Sequence, residues 1–419
     1  MHKLYKHILK AATLLMVAVY ILLPGSNKLR AQEVTGLSDW NVFLDPGHSQ
    51  TENMGLFGYS EAEKVLRVAW ALRDMFQDQT DIDTVYMARL TDQDFISLEG
   101  RVALANTLGA DFYYSIHSDA GASHVNRTLM LYGGWKSNGV LVEKTPEGGA
   151  DYGAILDWDL TGAMRIGRSG NYADRVFYQG DVHHHENQFP FLYVNRVSTM
   201  ASLLSEAGFH TNPGQQMLNL NAEWKVLEAL SAFRSFLEWH DIDRPAIGVA
   251  TGIIKDVETG LAINGLTVTI GDQTYTTDSY ESLFHNYSNN PNQLRNGFYF
   301  IQGLQPLDTV EVTFEKEGYQ TLVVDLPIVS NPNGLTEENL SFLDPLMTSS
   351  VPPVVVEVLP SDDLDELIPG TPLLIKFSRK MNKASVEEAF SMDPEAPVTF
   401  TWNNDFTLNV NTSEFEYLQ

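Results

Sequence analysis

The chain has 419 residues, of which 43% are hydrophobic, and it carries a formal net charge of -27 at pH 7. The length suits two or three domains, and the hydrophobic content supports packed globular domains instead of a disordered chain. The large negative charge argues against nucleic acid and anionic membrane surfaces as partners. The sequence contains no cysteine, so a disulfide framework is excluded.

The first 31 residues have the pattern of an export signal. Three lysines within the first ten residues precede an apolar run over residues 11–23, and Ala31 ends a possible cleavage site. That run is about thirteen residues long, shorter than the roughly 20 that span a bilayer. We therefore expect residues 1–31 to be a Sec-type signal peptide that exports the protein to the periplasm, the cell surface or the medium, with no stable membrane span after processing.

Residues 40–241 alternate between strand and helix patterns. Six apolar runs predict strands, beginning at Val42, Val85, Phe112, Leu129, Phe191 and Leu203. Three stretches predict helices, after Glu61, after Leu98 and from Ala222. Such alternation predicts an α/β domain with a mostly parallel sheet flanked by helices. The last helix has a wide apolar stripe, which we expect to pack on the sheet and close the domain.

Two further units are expected after this domain. Residues 248–343 contain short β-like runs with Gly, Asn and Thr turns, as in GVATGIIKDVETG and GFYFIQGL, and resemble the carboxypeptidase regulatory-like β-sandwich. Residues 351–419, with VVVEVLPSDD and FTWNNDFTLNV, resemble a bacterial immunoglobulin-like domain. Such a sandwich needs about 100 residues, so we expect this one to be partial. For the acidic cluster at residues 362–366 we expect a solvated loop and not a calcium site.

Two histidines and a glutamate occur where the local pattern changes. His48 follows the first predicted strand and the turn Asp-Pro-Gly, His117 follows the strand at Phe112, and Glu63 lies at the start of a helix. Ligands gather beyond the carboxyl ends of strands in open α/β sheets, so the two histidines can converge there. Two histidines and a carboxylate are ligands of the kind that hold a catalytic zinc and leave a fourth position for water.

Each of these residues also has a purely structural interpretation. Ser60 and Glu63 form the S-x-x-E pattern of a capping box, in which the glutamate closes the first turn of a helix. A single histidine after an apolar run is more often a hydrogen-bonded residue than a ligand, and DPGH by itself is compatible with a plain turn. Taken one at a time, the residues leave both interpretations open.

Five motifs in order favour the catalytic interpretation. They are DPGH at 45–48, the pair Glu63-Lys64, R-x-x-x-A-N at 101–106, SIH at 115–117 and E-x-G-F-x-T-N at 206–212. Residues 42–240 thereby resemble the catalytic domain of zinc-dependent N-acetylmuramoyl-L-alanine amidases of the amidase_3 type. The resemblance implies one zinc ion held by His48, Glu63 and His117, and Glu206 as the catalytic carboxylate.

The chain departs from the family pattern in three places. Ser49-Gln50 follows DPGH, Ser118-Asp119 follows SIH, and a long segment over residues 133–190 includes the triplet at 183–185. The ligands themselves are intact, so these departures bear on substrate preference. We expect the triplet to lie in a solvated loop. For His124 and His210 we expect positions bordering the site and no ligand role.

The resemblance implies an exported hydrolase of peptidoglycan. The bond cut would be the amide between the lactyl group of N-acetylmuramic acid and L-alanine of the stem peptide, with Glu206 moving the proton from water to the leaving nitrogen. Two alternatives remain open at this stage. One is a non-catalytic wall-binding protein whose cleft is blocked by residues 133–190. The other is a zinc hydrolase of another N-acyl amino acid or peptide amide. The oligomeric state also stays open.

Overall fold

The structure is a computed structural model that describes residues 34–179, 188–245, 247–277, 295–329, 340–360, 371–393 and 395–411. The expected signal peptide, the histidine triplet at 183–185 and the acidic cluster at 362–366 lie outside the described residues. Among the helices in the described part of the chain, none has both the length and the apolar character needed to cross a bilayer.

A six-stranded sheet forms the centre of the N-terminal domain. Its strands are β1 (Asn41–Pro46), β2 (Thr84–Met87), β3 (Phe112–Asp119), β4 (Arg127–Tyr132), β7 (Gly167–Ala173) and β8 (Ala201–Phe209), and β5 (Gly134–Ser137) and β6 (Val140–Glu143) form a separate hairpin. The strand order is β2-β1-β3-β8-β4-β7. Every neighbouring pair is parallel except β4 and β8. The predicted α/β class with a mostly parallel sheet is confirmed.

Helices cover both faces of this sheet. They are α1 (Glu61–Gln79), α2 (Leu98–Leu108), α3 (Gly149–Met164), α4 (Asp174–Gln179), α5 (Tyr193–Val197), α6 (Pro213–Leu220) and α7 (Ala222–Trp239). One face packs against α1, α3 and α7, and the other packs against α2 and α5. The expected apolar stripe of α7 is buried along its length, because α1 and α3 pack against it as well as the sheet.

One predicted strand is wrong. The apolar run at Phe191 is a bend followed by the short helix α5, whose Val194 is buried against the sheet. A short apolar run is equally compatible with a buried strand and a buried helical turn, since periodicity does not separate them.

The segment over residues 133–190 is largely folded. It supplies the β5–β6 hairpin, helix α3 and strand β7, which is hydrogen-bonded to β4 at one edge of the sheet. Helix α3 packs against α7. The described part of this segment is therefore built into the domain.

In its described residues, the second unit contains strands and no helix. They are β9 (Gly248–Ile253), β10 (Lys255–Asp256), β11 (Thr267–Ile270), β12 (Gln273–Thr276), β13 (Phe298–Leu304), β14 (Thr309–Glu315), β15 (Leu322–Pro327), β16 (Leu340–Phe342) and β17 (Leu346–Met347). They form sheets of four, three and two strands around a core of their own. Its assignment as a carboxypeptidase regulatory-like domain stays a prediction.

In its described residues, the third unit is a four-stranded antiparallel sheet with one helix. Its elements are β18 (Val355–Leu359), β19 (Leu373–Phe377), α8 (Lys383–Ala389), β20 (Thr399–Asn404) and β21 (Thr407–Asn411), with strand order β18-β19-β21-β20. Its immunoglobulin-like assignment also stays a prediction.

Candidate metal centre and catalytic carboxylate

The site lies at the carboxyl ends of three adjacent parallel strands. β1 runs into the turn that carries His48, β3 carries His117, and β8 carries Glu206. The pairing of β3 with β8 places His117 directly opposite Glu206. The topology therefore brings together three of the four residues that the sequence predicts.

Buried polar contacts hold the turn before His48. The Asp45 carboxylate accepts hydrogen bonds from Arg101 at 2.7 Å, from the Tyr113 hydroxyl at 2.7 Å and from the Ser115 hydroxyl at 2.9 Å. Arg101 also donates to the carbonyl of His48 at 3.0 Å. His48 has a φ of 60°, a left-handed conformation that is costly for a residue with a side chain and requires such support.

Arg89 is a second buried arginine that holds this turn in place, and no motif in the sequence pointed to it. Its guanidinium donates to the carbonyls of Pro46 at 3.2 Å, Gly47 at 3.1 Å and Ala62 at 2.6 Å, which ties the turn to the start of α1. Burial, and then the charge of Arg101, lowers the pKa of Arg89 to about 10, so the guanidinium is still charged at neutral pH.

Gly47 allows His117 to lie against the turn. A Cβ at residue 47 would lie only 2.3–2.7 Å from three atoms of the His117 ring. The two imidazole rings, of His48 and His117, consequently come within 5.0 Å between centroids. Any side chain at position 47 would push the rings apart.

Glu61 lies between the two histidines. One carboxylate oxygen is 2.9 Å from His117 Nδ1 and accepts the Ser118 backbone N–H at 2.8 Å. The other is 3.2 Å from His48 Nε2 and accepts from the Asn53 side-chain amide at 2.7 Å. The Glu61 side chain is 1% exposed, so the carboxylate is buried and points into the cluster.

The expectation that Glu63 shares a site with the histidines is contradicted by this geometry. Glu63 closes the capping box instead: its carboxylate accepts the Ser60 backbone N–H at 2.8 Å and the Ser60 hydroxyl at 2.6 Å, and its own N–H donates to that hydroxyl. A helix turns about 100° per residue, so side chains two positions apart lie on different faces. Glu61, in the same S-E-A-E-K segment, faces the histidines.

Hydrogen bonding determines the charge states in the cluster. Burial would raise the pKa of Glu61, but hydrogen bonds from His117 and His48 hold it well below its usual range. Burial opposes the charged form of His48, but the hydrogen bond and charge of Glu61, with Glu52, outweigh it and raise the pKa of His48. The cluster thus contains a buried carboxylate that requires a positive partner.

The donor set fits a metal ion. His48, Glu61 and His117 each offer one ligand atom, and these atoms lie within 4.8 Å of one another. Two imidazoles and one carboxylate form a donor set typical of catalytic zinc. The cation would replace the protons that the histidines otherwise share with Glu61, so the residues present fit the ion that the sequence predicts.

Glu206 is half-buried beside this cluster, with its Oε2 atom buried. Its Oε2 atom has no hydrogen-bond partner among the described residues. Burial, followed by the charges of Glu61 and Asp119, raises the pKa of Glu206 well above its usual range, and the Lys64 charge opposes this. A carboxylate in such surroundings accepts a proton readily, as a general base must.

Lys64 supports the strand that carries Glu206. It is 1% exposed, and its ammonium lies 2.6 Å from the Glu228 carboxylate on α7 and donates to the carbonyl of Ala207 at 3.3 Å. The sequence placed Lys64 in a motif but did not predict this role. One feature of the sequence could have indicated it: Lys64 falls among the apolar positions of an otherwise amphipathic helix.

His210 borders the site, and His124 makes no hydrogen bond or ion pair with the cluster among the described contacts. His210 is buried, with Nδ1 at 2.9 Å from the carbonyl of Ser118 and 3.7 Å from Glu61. His124 is exposed in a turn. Within the described residues, the group of metal-binding side chains contains neither of them.

The N-terminal domain matches a known protein family. Residues 42–232 match the model of Amidase_3, described as N-acetylmuramoyl-L-alanine amidase. These residues therefore resemble that family in sequence. In sequence, the chain is similar to N-acetylmuramoyl-L-alanine amidase CwlM of Bacillus licheniformis, with 37% identity over 81 residues covering 19% of this chain and 32% of that protein. It is also similar to the sporulation-specific N-acetylmuramoyl-L-alanine amidase of Bacillus subtilis, with 37% identity over 82 residues covering 19% and 31%. The chain spans about a third of the length of these relatives.

Solved structures of similar proteins include two amidases. The N-acetylmuramoyl-L-alanine amidase from Clostridium difficile 630 superposes with a TM-score of 0.39 at 24% identity, covering 48% of this chain and 97% of that one. The amidase AmiC2 of Nostoc punctiforme gives a TM-score of 0.37 at 22% identity, covering 49% and 99%. In both comparisons the covered share is about half of this chain.

Proposed function

We propose that the Amidase_3-type domain hydrolyses the amide between N-acetylmuramic acid and L-alanine of the peptidoglycan stem peptide, in a zinc-dependent reaction. The observation that supports it most strongly is the convergence of His48, Glu61 and His117 beside the carboxylate of Glu206. The family match and the names of the sequence relatives supply the substrate class.

In this proposal His48, Glu61 and His117 hold the ion. Zinc in such a site lowers the pKa of water from about 15.7 to about 7 and polarises a carbonyl oxygen. The turn clamped by Arg89 and Arg101 keeps His48 in position, and the Ser118 N–H and Asn53 amide keep the Glu61 carboxylate facing the two rings. Residues that orient metal ligands in this way matter nearly as much as the ligands.

Glu206 carries the proton in this proposal. Its carboxylate takes one proton from the attacking water, the C–N bond of the amide breaks, and the same proton passes to the departing amino group of L-alanine. The raised pKa of Glu206 suits a group that must hold a proton between these two steps. General base and acid catalysis of this kind contributes typically about 10² to 10⁴-fold.

The proposal includes export and attachment to the wall. Residues 1–31 would direct secretion, and the β-sheet units after residue 247 would act as spacers or binding modules. The net charge of -27 would repel a polyanionic wall, so attachment would depend on local contacts.

The test compares the wild type with Glu206→Gln on purified peptidoglycan. Release of L-alanine amino termini should fall by about 10²-fold or more in Glu206→Gln, whereas zinc content, measured by mass spectrometry of the metal, should stay at one ion per chain. Retained turnover in this variant would refute the proton-transfer role. Peptidoglycan that the zinc-loaded wild type binds but leaves uncut would favour the non-catalytic alternative.

A further inference from the structure

A group of exposed aromatic rings lies on α4 and the residues near it. Tyr172, Phe177 and Tyr178 are 40%, 40% and 47% exposed. Successive ring centroids are 5.7 Å apart between Tyr172 and Phe177, 5.1 Å between Phe177 and Tyr178, and 4.8 Å between Tyr178 and Phe191, the last pair stacked. We call these four residues the aromatic shelf. Contiguous exposed apolar surface of this kind marks a binding site more often than it occurs by chance.

The shelf lies on the same face of the sheet as Glu206. Side chains alternate along a strand, so Leu204 and Glu206 of β8 share one face. Leu204 packs in the smaller core together with Leu192 and Val194, which lie one and three positions after Phe191. Tyr172 is paired in register with Leu131, another member of that core.

Tyr178 is the member of the shelf that lies nearest the carboxylates of the candidate site in charge terms. Its ring stacks on Phe191, which precedes residues of the smaller core on the Glu206 face of the sheet. Burial raises the pKa of Tyr178, and the charges of Glu206, Asp119 and Asp174 raise it further, in agreement with that placement. The shelf thus shares its face of the sheet with Glu206.

Buried polar groups hold the shelf rigid. The Asp174 carboxylate accepts the backbone N–H groups of Phe191 at 3.0 Å and Leu192 at 2.9 Å, and the Asn195 amide at 3.0 Å. Arg175 donates to the carbonyls of Phe189 and Pro190. α4 and the chain around Phe191 are therefore fixed to each other, and a ligand would not have to order them.

The charges around the shelf indicate which part of the substrate it fits. Glu206, Asp119 and Asp174 contribute negative charge at Tyr178, and the buried Arg175 is already bonded to carbonyl oxygens. A stem peptide brings carboxylates of its own, which these groups would repel. An N-acetylated sugar whose lactyl group is in amide linkage is uncharged, and its C–H faces can stack on aromatic rings, whose faces are electron-rich.

We propose that the aromatic shelf is the subsite that binds the sugar chain of the substrate, with Phe177 and Tyr178 stacking against N-acetylhexosamine rings next to the amide to be cut. This inference rests on the proposed function for the identity of the substrate. It adds that the glycan, and not the stem peptide, occupies this face of the domain.

The test measures binding without turnover. In the Glu206→Gln background, isothermal titration with chitotetraose, a neutral oligomer of N-acetylglucosamine, should give measurable binding. Phe177→Ala and Tyr178→Ala should each weaken it by about two- to tenfold, the range expected for one aromatic contact. Tyr178→Phe keeps the ring and should keep the binding. Trp158→Ala removes a ring that is 50% exposed outside the shelf and should change nothing.

The outcomes separate this inference from the proposed function. Unchanged chitotetraose binding in both alanine variants, with their zinc content and circular dichroism intact, would overturn the inference. So would a loss confined to binding of the free stem peptide. If the wild type cuts peptidoglycan, Phe177→Ala and Tyr178→Ala made with Glu206 intact should raise KM for the polymer and leave kcat near its original value. If the wild type cuts nothing, the proposed function fails, while ring-dependent sugar binding would still support the shelf.

Discussion

Glu61 and Glu63 lie two positions apart on α1 and have different partners. Glu61 accepts hydrogen bonds in the cluster with His48 and His117, whereas Glu63 caps its own helix through Ser60. The capping box was visible in the sequence. The position of Glu61 was not, because which face of a helix meets a strand end is a tertiary property. The two histidines and Glu206 were predictable, since each follows an apolar run that ends in the sheet.

Exchanging these two glutamates for alanine separates their roles. Glu61→Ala should lower zinc content to a small fraction of one ion per chain, because the buried carboxylate ligand is lost. Glu63→Ala should keep the zinc and lower the free energy of unfolding by about 1 kcal/mol, as expected for a lost cap. Metal analysis after dialysis and urea titration measure both effects. Zinc loss in Glu63→Ala with retention in Glu61→Ala would restore the original assignment.

Lys144 predicts a pH dependence of stability. It is buried, with its ammonium 3.1 Å from the carbonyl and 2.5 Å from the hydroxyl of Ser198, and burial lowers its pKa from 10.5 to about 7. Between these two values the unfolded chain binds more protons than the folded one, so the free energy of unfolding rises with pH in this window. At pH 6 the cost of burying the charge is fully present.

Lys144→Met should therefore stabilise the protein at pH 6, by about 1–3 kcal/mol, since it removes a buried charge and keeps the aliphatic volume. The gain should shrink as the pH rises above 7, because Lys144 is then neutral in the folded protein while the unfolded chain keeps its charge up to about pH 10.5. Urea denaturation at pH 6 and pH 9.5 measures the two differences. An equal effect at both pH values would show that Lys144 is charged in the folded protein throughout.

At the scale of elements, five of the six strands of the sheet were predicted, and β7 was not. β1, β3 and β8 each contain a short apolar run, as strands of a sheet covered on both faces do. Helix α3 is harder to recognise, because its buried face includes Asp157 and Asp159, which pair with Arg168 and Arg244. Long-range ion pairs of this kind leave no local signal in the sequence.

Gly47, which follows β1, lies against the ring of His117 on β3. This contact predicts the effect of adding one methyl group at position 47. Gly47→Ala should reduce zinc affinity by about tenfold or more, because the new Cβ would displace the His117 ring, and disturbed ligand orientation typically costs 10–100-fold. Gly214→Ala is the matched control, since its Cβ would meet only Asn212 at 3.5 Å. Competition with a zinc-binding dye measures both affinities. Wild-type affinity in Gly47→Ala would show that the turn adapts.

At the scale of the whole molecule, the first two units share a hydrophobic core. Phe298 and Phe300 of β13 belong to the same cluster as the core of the N-terminal domain, and Trp224 of α7 meets Phe298 with ring centroids 5.1 Å apart. Arg165 forms an ion pair with Asp344 at 2.5 Å across the same boundary. The sequence predicted two separate domains, and it carries no signal for which surfaces of the two domains meet.

This shared core predicts that a change in the second unit reaches the first. Phe298→Ala should lower the free energy of unfolding by about 3–5 kcal/mol, the usual range for a buried phenylalanine, and should speed hydrogen exchange along α7. Leu307→Ala, at a residue 87% exposed, should change stability by less than about 0.5 kcal/mol. Unaltered exchange in α7 with faster exchange confined to β13 would show that the two units unfold independently.

The most direct test of the central claim is mass spectrometry of peptidoglycan fragments after digestion in water enriched in oxygen-18. Hydrolysis of the muramoyl amide puts the water oxygen on the lactyl carboxylate, so we expect one heavy oxygen in the sugar product and none in a stem peptide that begins with free L-alanine. Heavy oxygen at a peptide carboxyl group or at the reducing end of a sugar would contradict the account, because it would identify a peptidase or a glycosidase.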